Sequence, residues 1–375
     1  MTKKIIHIVE NLDKGAVENW IVNSFIESRK IEPDWEWTFY CILGRPGRLD
    51  GLVQQHGGTI IFAPTTISDK FKFLKHLRTV LKQGQYDVLH AHHDYLSGFY
   101  LLASLNIRFS KRILHIHNTD KWLPIGNSTI RNLLLKPCRF LGIKLVDTVV
   151  GISKDTLSEF VQHSANGRKK GQVLYYGVEL SRFRSKAIQL REELGISSNS
   201  KILVFVGRMN EFKNPAFVVD VLNELCKSRD DVFAVFVGAG GEADNVLRKA
   251  KDYGIEDRVK LLGFRNDIPQ IMQQADLFVF PRVEYPREGL GLVVVEAQAA
   301  GLPMLLSYGI VEDAVVIPSL VKFIKLDNNP EEWARMAANY IQDNKPIDSE
   351  TAVEIVEKSH FGLRNGTLNL LSLYR

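Results

Sequence analysis

Residues 276–307, DLFVFPRVEYPREGLGLVVVEAQAAGLPMLLS, contain two short apolar strands and the segment that joins them. DLFVFP begins the stretch and LPMLLS ends it, and each reads as a buried strand. The joining segment includes Val293–Val295, and β-branched residues favour strands over helices. Two consecutive parallel strands nevertheless need a crossover, which is usually a helix. We therefore expect a helix over 289–300 and a parallel sheet beside it.

The same alternation of strands and helices extends along the chain in two cycles, separated by the polar stretch GISSNS at 195–200. Strand-like runs of the first cycle are KKIIHIVENL, WEWTFYCIL, GTIIFAP, YDVLHAH, KRILHIH, DTVVGIS and QVLYYGV. The second cycle has KILVFVGRM, VFAVFVGAGG, RVKLLGF, DLFVFP, LPMLLS and VKFIKL. Helical patterns fall at 17–30, 69–83, 95–105, 128–145 and 154–163, with three more after residue 329. This order predicts an α/β fold with two Rossmann-like domains facing across a cleft.

Composition is that of a globular protein of about two domains, with 375 residues, 45% of them hydrophobic and 24% charged. The three cysteines lie far apart, so neither a disulfide framework nor a zinc site is indicated, and a cytoplasmic location is expected. The N-terminal run IIHIV is shorter than a secretory signal core. Nothing approaches the ~20 apolar residues of a membrane span.

Charge is unevenly distributed along the chain, whose net charge is +5. Residues 1–180 contain 24 Lys and Arg against 16 Asp and Glu, a net charge of +8, whereas residues 181–375 contain 24 against 27, a net charge of −3. An excess of this kind indicates an anionic partner, such as nucleic acid, a membrane surface or phosphates, or simply a solvated surface.

Several candidate ligand-binding residues follow strands of the first cycle, where ligands of open α/β sheets bind. Gly15 gives backbone N–H groups access to a phosphate at the start of a helix, or serves as an ordinary turn glycine. His115 and His117 share one face of their strand, so the latter can reach the cleft or remain structural. HAHH at 90–93 resembles a metal cluster, but only Asp94 is near it, and we do not expect a metal.

In the second cycle, Arg208 and Lys213 follow a strand, five residues apart. A guanidinium with an ammonium group is a suitable clamp for a diphosphate, although two solvated charges would have the same spacing. The free N–H groups of 289–292 would point at the same ligand. Glu288 and Glu296 are placed to accept hydrogen bonds from hydroxyls of a sugar and of a ribose, respectively. A glycosidase acid/base pair is the alternative, but it would not need a diphosphate clamp.

At these residues the chain resembles a known family. REGLGLVVVEAQAAGLP at 287–303 resembles the E-x7-E signature of the retaining family 4 glycosyltransferases, which have the GT-B fold. Further similar stretches are KGAVE, HIHNTD, YYGVELSRF, VGRMNEFKN and LLGFRNDIPQIMQQADLFVFP. HNTD, EAQAAGLP and PEEWA are most similar to the branch that assembles capsular polysaccharides and exopolysaccharides.

The resemblance implies an acceptor-side domain at 1–180, a nucleotide-sugar-binding domain at 181–358, and a C-terminal helix at 359–375 that packs back on the first domain. It also implies a hexosyl- or N-acetylhexosaminyl-transferase of bacterial polysaccharide biosynthesis. The enzyme would move a sugar from a nucleoside diphosphate sugar, expected to be a UDP-sugar, to a glycan or lipid-linked glycan with retention of configuration.

The residue roles carried over by this resemblance concern catalysis and donor binding. The catalytic residues would be His117, Arg208, Lys213 and Glu288. The donor-binding residues would be Gly15, Arg208, Lys213, Phe264, Glu288, Gly289, Leu290, Gly291, Leu292 and Glu296. No metal and no cofactor are expected, because no D-x-D occurs in the chain and the clamp would stabilise the departing diphosphate.

The chain departs from the family pattern at three places. Arg282 follows the proline where the family usually has serine, and the loop from there to Glu288 is longer than usual. Ala16 replaces the second glycine of the N-terminal turn, and Glu179 replaces an aspartate in the junction element. The first departure leaves the shape of the 282–288 loop open.

Three rival functions remain to be distinguished from a transferase. A sugar-nucleotide 2-epimerase can share the GT-B architecture, but the E-x7-E and R-x4-K motifs together favour a transferase. A non-catalytic sugar-nucleotide-binding partner would not need His117, Lys213 and both glutamates. Nucleic-acid binding has no recognised motif in the chain, and we expect none.

The segment KFKFLKHLRTVLKQG at 70–84 combines lysines with apolar residues in a basic amphipathic pattern, and RNLLLKPCRFLGIKL at 131–145 is similar. Such helices bind anionic membrane surfaces, but a helix packed on its own sheet shows the same periodicity. With the excess of +8, the pattern favours a peripheral contact with anionic membrane, at the inner face of the cell membrane.

Overall fold

The computed structural model describes residues 2–13, 15–118, 128–327, 329–342 and 345–375. The chain forms two compact units. The N-terminal unit comprises Met1–Val178 with Leu363–Arg375, and the C-terminal unit comprises Glu179–Gly362. Thr119 and Asp120 of the HNTD motif lie outside the described residues.

The N-terminal unit is built on a seven-stranded sheet in the order β3-β2-β1-β4-β5-β6-β7, whose neighbouring strands pair in parallel. Its strands are β1 (Lys4–Val9), β2 (Glu36–Cys41), β3 (Thr59–Phe62), β4 (Val88–Ala91), β5 (Lys111–Ile116), β6 (Thr148–Gly151) and β7 (Gly171–Val173). Its helices are α1 (Ala16–Ile31), α2 (Asp50–Gln55), α3 (Lys70–Gly84), α4 (Ser97–Tyr100), α5 (Ser128–Leu145), α6 (Lys154–Val161) and α7 (Ala165–Lys170).

The C-terminal unit has a six-stranded parallel sheet in the order β10-β9-β8-β11-β12-β13. Its strands are β8 (Lys201–Val206), β9 (Val232–Val237), β10 (Val259–Gly263), β11 (Leu277–Phe280), β12 (Met304–Ser307) and β13 (Val321–Ile324). Its helices are α8 (Leu190–Glu193), α9 (Ala216–Cys226), α10 (Ala243–Asp252), α11 (Ile268–Gln274), α12 (Leu292–Ala299), α13 (Pro330–Gln342) and α14 (Ser349–Lys358). The last helix, α15 (Leu363–Tyr374), belongs to the N-terminal unit.

The helix predicted between β11 and β12 is confirmed as α12, although it contains three valines. It begins at Leu292, within the range 289–292 expected for its start, and its N-cap, Gly291, adopts a left-handed conformation with a φ of 78°. Val294 and Val295 are fully buried. Burying a Val side chain contributes roughly 1.5–3 kcal/mol, which exceeds the few tenths by which helix propensity disfavours it.

The other predicted strands and helices are confirmed, several of them shorter than predicted, and two differ most in extent. The segment predicted as one helix at 95–105 is α4 flanked by 3-10 turns at 94–96 and 101–104. β7 ends at Val173, before the Tyr175–Tyr176 pair that the sequence suggests as strand. None of the helices in the described ranges combines the length and the apolar character of a membrane span.

α15 completes the N-terminal unit by packing on α1, as the resemblance to GT-B proteins implies. Leu370, Leu371 and Tyr374 on its inner side are buried. The Tyr374 hydroxyl lies 2.7 Å from Nδ1 of His90 on β4. A hydrogen bond therefore joins the last helix to the central sheet.

Candidate active site

Each sheet has one point where the strand order reverses, and open α/β sheets bind ligands there, at the carboxyl ends of the strands. In the C-terminal unit this point lies between β8 and β11. Lys213 belongs to the loop that follows β8, and Glu288 to the loop that follows β11. The predicted diphosphate and sugar residues are therefore attached to the two strands that border the crevice.

The loop after β8 is a compact, hydrogen-bonded turn. The backbone N–H of Lys213 donates to the carbonyl of Asn210 at 3.1 Å and to its side-chain Oδ1 at 3.0 Å. Gly238 and Gly240, which follow β9, pack directly on this loop, and a Cβ on either would lie 2.1 Å from a backbone oxygen. Arg208 extends from the same turn and is exposed.

Glu288 lies between two cations. Its Oε1 is 3.8 Å from Nζ of Lys213, and its Oε2 accepts a 2.6 Å hydrogen bond from Nε of Arg282. The structure thus brings Lys213 and Glu288 together as the sequence suggests. It also adds Arg282, a residue whose insertion in this loop looked like a departure from the family pattern.

Arg282 is fully buried in the loop after β11. Its Nη1 donates to the carbonyl of Val283 at 3.1 Å, and its own carbonyl accepts a hydrogen bond from the hydroxyl of Ser307. Burial alone would raise the pKa of Glu288, but the charges of Lys213 and Arg282 outweigh it, so the pKa lies below its ordinary value. The Glu288 carboxylate is therefore held ionised.

The backbone of 289–292 forms the entry to α12. The Glu288 N–H donates to the carbonyl of Gly309 at 2.8 Å, which fixes the end of the loop. Gly291 has no side-chain cap, and helix N-termini attract anions through their free N–H groups. Leu290 is buried. Backbone groups at this end of α12 are thus placed to bind a ligand.

Glu296 is the fifth residue of α12 and is partly buried. Burial raises its pKa to about 7, and the positive charge of Arg182 partly offsets this effect. Arg182 comes from the 3-10 turn at 181–184, whose carbonyl at Arg182 accepts a 2.6 Å hydrogen bond from Gln270. The junction element that contains Glu179 is therefore close to the predicted ribose carboxylate.

Phe264 directly follows β10 and is 87% exposed, one of the most exposed large apolar side chains in the described chain. Gly263 before it has a φ of 60°, so the strand turns sharply at this point. An exposed aromatic ring beside a strand end can stack on a nucleotide base.

In the N-terminal unit, His117 is buried and both of its ring nitrogens have partners. Nε2 lies 3.2 Å from Nδ1 of His92, and Nδ1 contacts the hydroxyl of Tyr176. The His117 backbone N–H donates to Asp94 at 2.6 Å. His117 also lines a cavity of about 220 Å³, together with His92, Glu10 and Glu18.

Five buried histidines meet on one face of this sheet, and two groups of three have ring nitrogens within 4.8 Å of one another. The groups are His7, His90 and His92, and His92, His115 and His117. Such groups could hold a metal ion, which the sequence reasoning about HAHH did not foresee because three strands contribute. Several of these nitrogens bond instead to one another, including Nδ1 of His7 to Nε2 of His92 at 2.9 Å.

Gly15 is the N-cap of α1, as expected for a glycine at the start of a helix. The carboxylate of Glu18 folds back over this position, so that a Cβ on Gly15 would lie 2.1 Å from its Oε2. Burial raises the pKa of Glu18, while a hydrogen bond from its own backbone lowers it. A carboxylate therefore occupies the place where an anion is expected to bind.

Two family models match the chain in succession. Glycosyltransferase Family 4 matches residues 35–182, and Glycosyl transferases group 1 matches residues 187–359. The chain is a glycosyltransferase. It is 26% identical over 349 residues to EpsF of Bacillus subtilis, covering 92% of this chain and 89% of EpsF. It is 24% identical over 351 residues to the capsular polysaccharide biosynthesis glycosyltransferase CapH of Staphylococcus aureus, covering 92% of each.

A solved structure with the same fold is HepE of Anabaena in complex with UDP. Its TM-score is 0.77 at 20% identity, with 99% of this chain and 98% of HepE covered. HepE has also been crystallised with UDP-glucose. This glycosyltransferase therefore consists of two Rossmann-like domains of the GT-B type.

Sequence reasoning missed three residues that act on predicted site residues of their own unit. Arg282 appeared only as an irregularity, although an arginine six residues before a glutamate in one loop is a possible ion pair. Arg182 was part of the YYGVELSRF resemblance but received no role. Tyr176 gave no signal, because its contact with His117 joins residues 59 positions apart.

Proposed function

We propose that the enzyme transfers a hexosyl or N-acetylhexosaminyl group from a UDP-sugar to a glycan or lipid-linked glycan, with retention of configuration, during polysaccharide assembly. The observation that carries this proposal is the approach of Lys213 to Glu288 beside the free N-terminus of α12. A cation, a carboxylate and backbone N–H groups together suit a diphosphate attached to a sugar.

In this proposal Arg208 and Lys213 bind the diphosphate and stabilise its charge as it leaves. Glu288 and the backbone at 289–292 hold the sugar. Glu296 binds the ribose, and Phe264 packs on the base. His117 and Gly15 are proposed to contact the sugar and the phosphate, respectively, in keeping with the family resemblance.

The UDP part of the proposal is supported by HepE, which binds UDP and UDP-glucose on the same fold. The polysaccharide part is supported by the name of CapH. We further propose that transfer needs no metal, because Arg208 and Lys213 provide the charge that a metal bound to a D-x-D motif would supply.

A donor screen tests the proposal. Purified protein is incubated with a series of nucleoside diphosphate sugars and candidate glycan acceptors, and release of the nucleoside diphosphate is measured. We expect acceptor-dependent release from one UDP-sugar, and loss of this release in Lys213→Ala. Conversion of a free UDP-sugar without acceptor would instead favour the epimerase, and binding of UDP without turnover would favour the non-catalytic partner.

We also propose peripheral binding to anionic membrane through α3 and α5. Phe73, Leu77 and Leu81 of α3 pack into the core, as in an ordinary Rossmann helix. Phe71, however, is 90% exposed. On α5, Leu133 and Phe140 are exposed in the same way.

Burial raises the pKa of Cys138 on α5, and the charge of Lys70 on α3 partly offsets this effect. Lys72, Lys75 and Lys136 are also at the surface of these helices. Exposed apolar side chains among lysines suit the head-group region of an anionic bilayer.

A further inference from the structure

The two cations beside Glu288 differ in how firmly they are held. Arg282 is 0% exposed, its Nε is 2.6 Å from Glu288, and its backbone carbonyl is tied to Ser307. Lys213 is 18% exposed, its Nζ is 3.8 Å from Glu288, and it lies over the ring of Phe280 at 5.1 Å. A distance of 3.8 Å is longer than a hydrogen bond, so the lysine is the looser of the two partners.

We propose that Arg282 is the permanent counter-ion of Glu288, and that it frees Lys213 to leave this carboxylate for the diphosphate of the donor. Arg282 is thus a positioning residue, which acts through Glu288 and Lys213. The inference rests on the proposed function, because it takes the ligand to be a nucleoside diphosphate.

The physical reason is the cost of a partly buried carboxylate without a cation, since the Glu288 side chain is only 20% exposed. An ionised carboxylate removed from water is strongly destabilised unless it is paired, and it takes up a proton instead. If Lys213 were the partner of Glu288 in the absence of Arg282, a bound diphosphate would draw the lysine away. With Arg282 in place, Glu288 stays ionised before and after the ligand binds.

Other charged groups around the loop are engaged elsewhere. Arg287, next to Glu288, donates from Nη2 to the carbonyl of Ile310 at 3.1 Å. Glu296 on α12 is under the influence of Arg182. Glu284 in the same loop is exposed. Among the described residues, Lys213 and Arg282 are the cations whose charge acts on Glu288.

The test is calorimetric titration with UDP in two buffers of different ionisation enthalpy, which gives the number of protons exchanged on binding. We compare the wild type with Arg282→Met at pH 7 and pH 8. Proton exchange by UDP itself is common to both proteins, so the difference reports on the protein. On binding UDP, the Arg282→Met variant is expected to take up as much as one proton more than the wild type.

Uptake of one proton changes the affinity by at most about tenfold per pH unit, since binding and proton uptake are linked. The Arg282→Met variant should therefore lose affinity for UDP relative to the wild type as the pH rises. Arg282→Lys should behave more like the wild type, because it restores a cation. The double variant Arg282→Met with Glu288→Gln should show no extra proton uptake, since no carboxylate remains.

Arg191→Met is the matched control, because Arg191 forms a 2.6 Å ion pair with Asp276 in the same unit, away from this loop. It should bind UDP with the proton count of the wild type. If wild-type protein does not bind UDP, the proposed function fails. If it binds UDP and Arg282→Met exchanges the same number of protons, the role of Arg282 fails while the function stands.

Lys213→Met provides a second route that leaves Arg282 unchanged, should Arg282→Met not fold. Here Arg282 alone must keep Glu288 ionised. UDP binding should weaken without additional proton uptake. Additional uptake by this variant would show that Arg282 is not a sufficient counter-ion and would overturn the inference.

Discussion

Nδ1 of His92 and Nε2 of His117 lie 3.2 Å apart in the core of the N-terminal unit. Only one of the two nitrogens can carry a proton if this contact is a hydrogen bond between neutral rings. Burial, the largest effect, lowers the pKa of His117 well below 6.5, and the nearby imidazoles His92 and His93 lower it further. Burial lowers the pKa of His92 to about 3.

This histidine cluster predicts that the N-terminal unit loses stability in mild acid. The unfolded chain binds protons at its histidines below pH 6.5, whereas the folded cluster stays neutral to lower pH. Each such histidine costs about 1.4 kcal/mol of stability for every pH unit below 6.5. Asp94, whose pKa burial raises to about 6, and Glu18, whose pKa burial also raises, act in the opposite direction but are fewer than the five histidines.

Urea unfolding at pH 7.5, 6.5 and 5.5 checks this prediction. Stability should be nearly constant between the first two values and fall steeply toward the third. His115→Phe should reduce the slope, and the exposed His163→Gln should leave it unchanged. A stability that is equal at pH 7.5 and 5.5 would show that the cluster is not neutral in the folded protein.

The diphosphate clamp predicts steep losses of turnover in Arg208→Ala and in Lys213→Ala. Charged hydrogen bonds contribute roughly 1.5–3 kcal/mol apiece, so each variant should lose about ten- to a hundred-fold or more. Lys227→Ala is the control, since this exposed lysine pairs with Glu224 on the surface. Turnover by donor hydrolysis or transfer, together with thermal unfolding, separates catalysis from folding. Near-normal turnover in both clamp variants would contradict the assignment.

Glu288 and Glu296 should bind different parts of the donor. Glu296→Gln should weaken binding of the donor and of free UDP alike, because both contain the ribose. Glu288→Gln should weaken binding of the donor and leave binding of free UDP unchanged. Because the pKa of Glu296 is about 7 in the free protein, the deficit of Glu296→Gln should be larger at pH 8, where the wild-type carboxylate is ionised, than at pH 6.

Titration calorimetry with UDP and with the donor measures both effects. Glu224→Gln, a substitution near the C-terminal end of α9 whose carboxylate pairs with Lys227, serves as the control. Equal loss of UDP affinity in the Glu288 and Glu296 variants would contradict this division of roles.

Transfer should survive EDTA, as expected for a reaction in which side chains stabilise the diphosphate. The same initial rate is expected with and without the chelator, and with added Mg²⁺ or Mn²⁺. A rate that falls with EDTA and returns with a divalent cation would show that a metal takes part.

Membrane association should be salt-sensitive and require both lysines and exposed aromatic side chains. Each lysine near an anionic surface contributes about 1 kcal/mol. Lys72→Glu with Lys75→Glu, or Phe71→Ser, should reduce co-sedimentation with anionic vesicles at low salt. Arg45→Glu with Lys169→Glu makes the same change in charge at other exposed positions of this unit and should have less effect. Equal, negligible binding of the wild type to anionic and neutral vesicles would contradict membrane association and favour a soluble acceptor.

The order of strands and helices could be predicted because apolar runs alternate regularly along the chain. The helix α12 could be predicted because the crossover between two parallel strands requires a helix, despite the strand preference of its valines. Lys213 and Glu288 could be placed near each other, since each follows a strand and the carboxyl ends of parallel strands lie at the same edge of a sheet. The pairing of Arg282 with Glu288 could not be predicted from the sequence, because burial of a loop arginine depends on how that loop folds over β12. Local periodicity placed His115 and His117 on one face, but it says nothing about which histidines of other strands lie beside them.

Because α15 is synthesised last, the two units are completed at different times during synthesis. The C-terminal unit is one continuous stretch, so all of its core is available before the ribosome adds the last helix. The N-terminal unit must wait for α15, which packs on α1 and whose Tyr374 contacts His90. The first segment to leave the ribosome is therefore the last to be completed, and a nascent chain truncated before residue 363 leaves the apolar side of α1 open to chaperones.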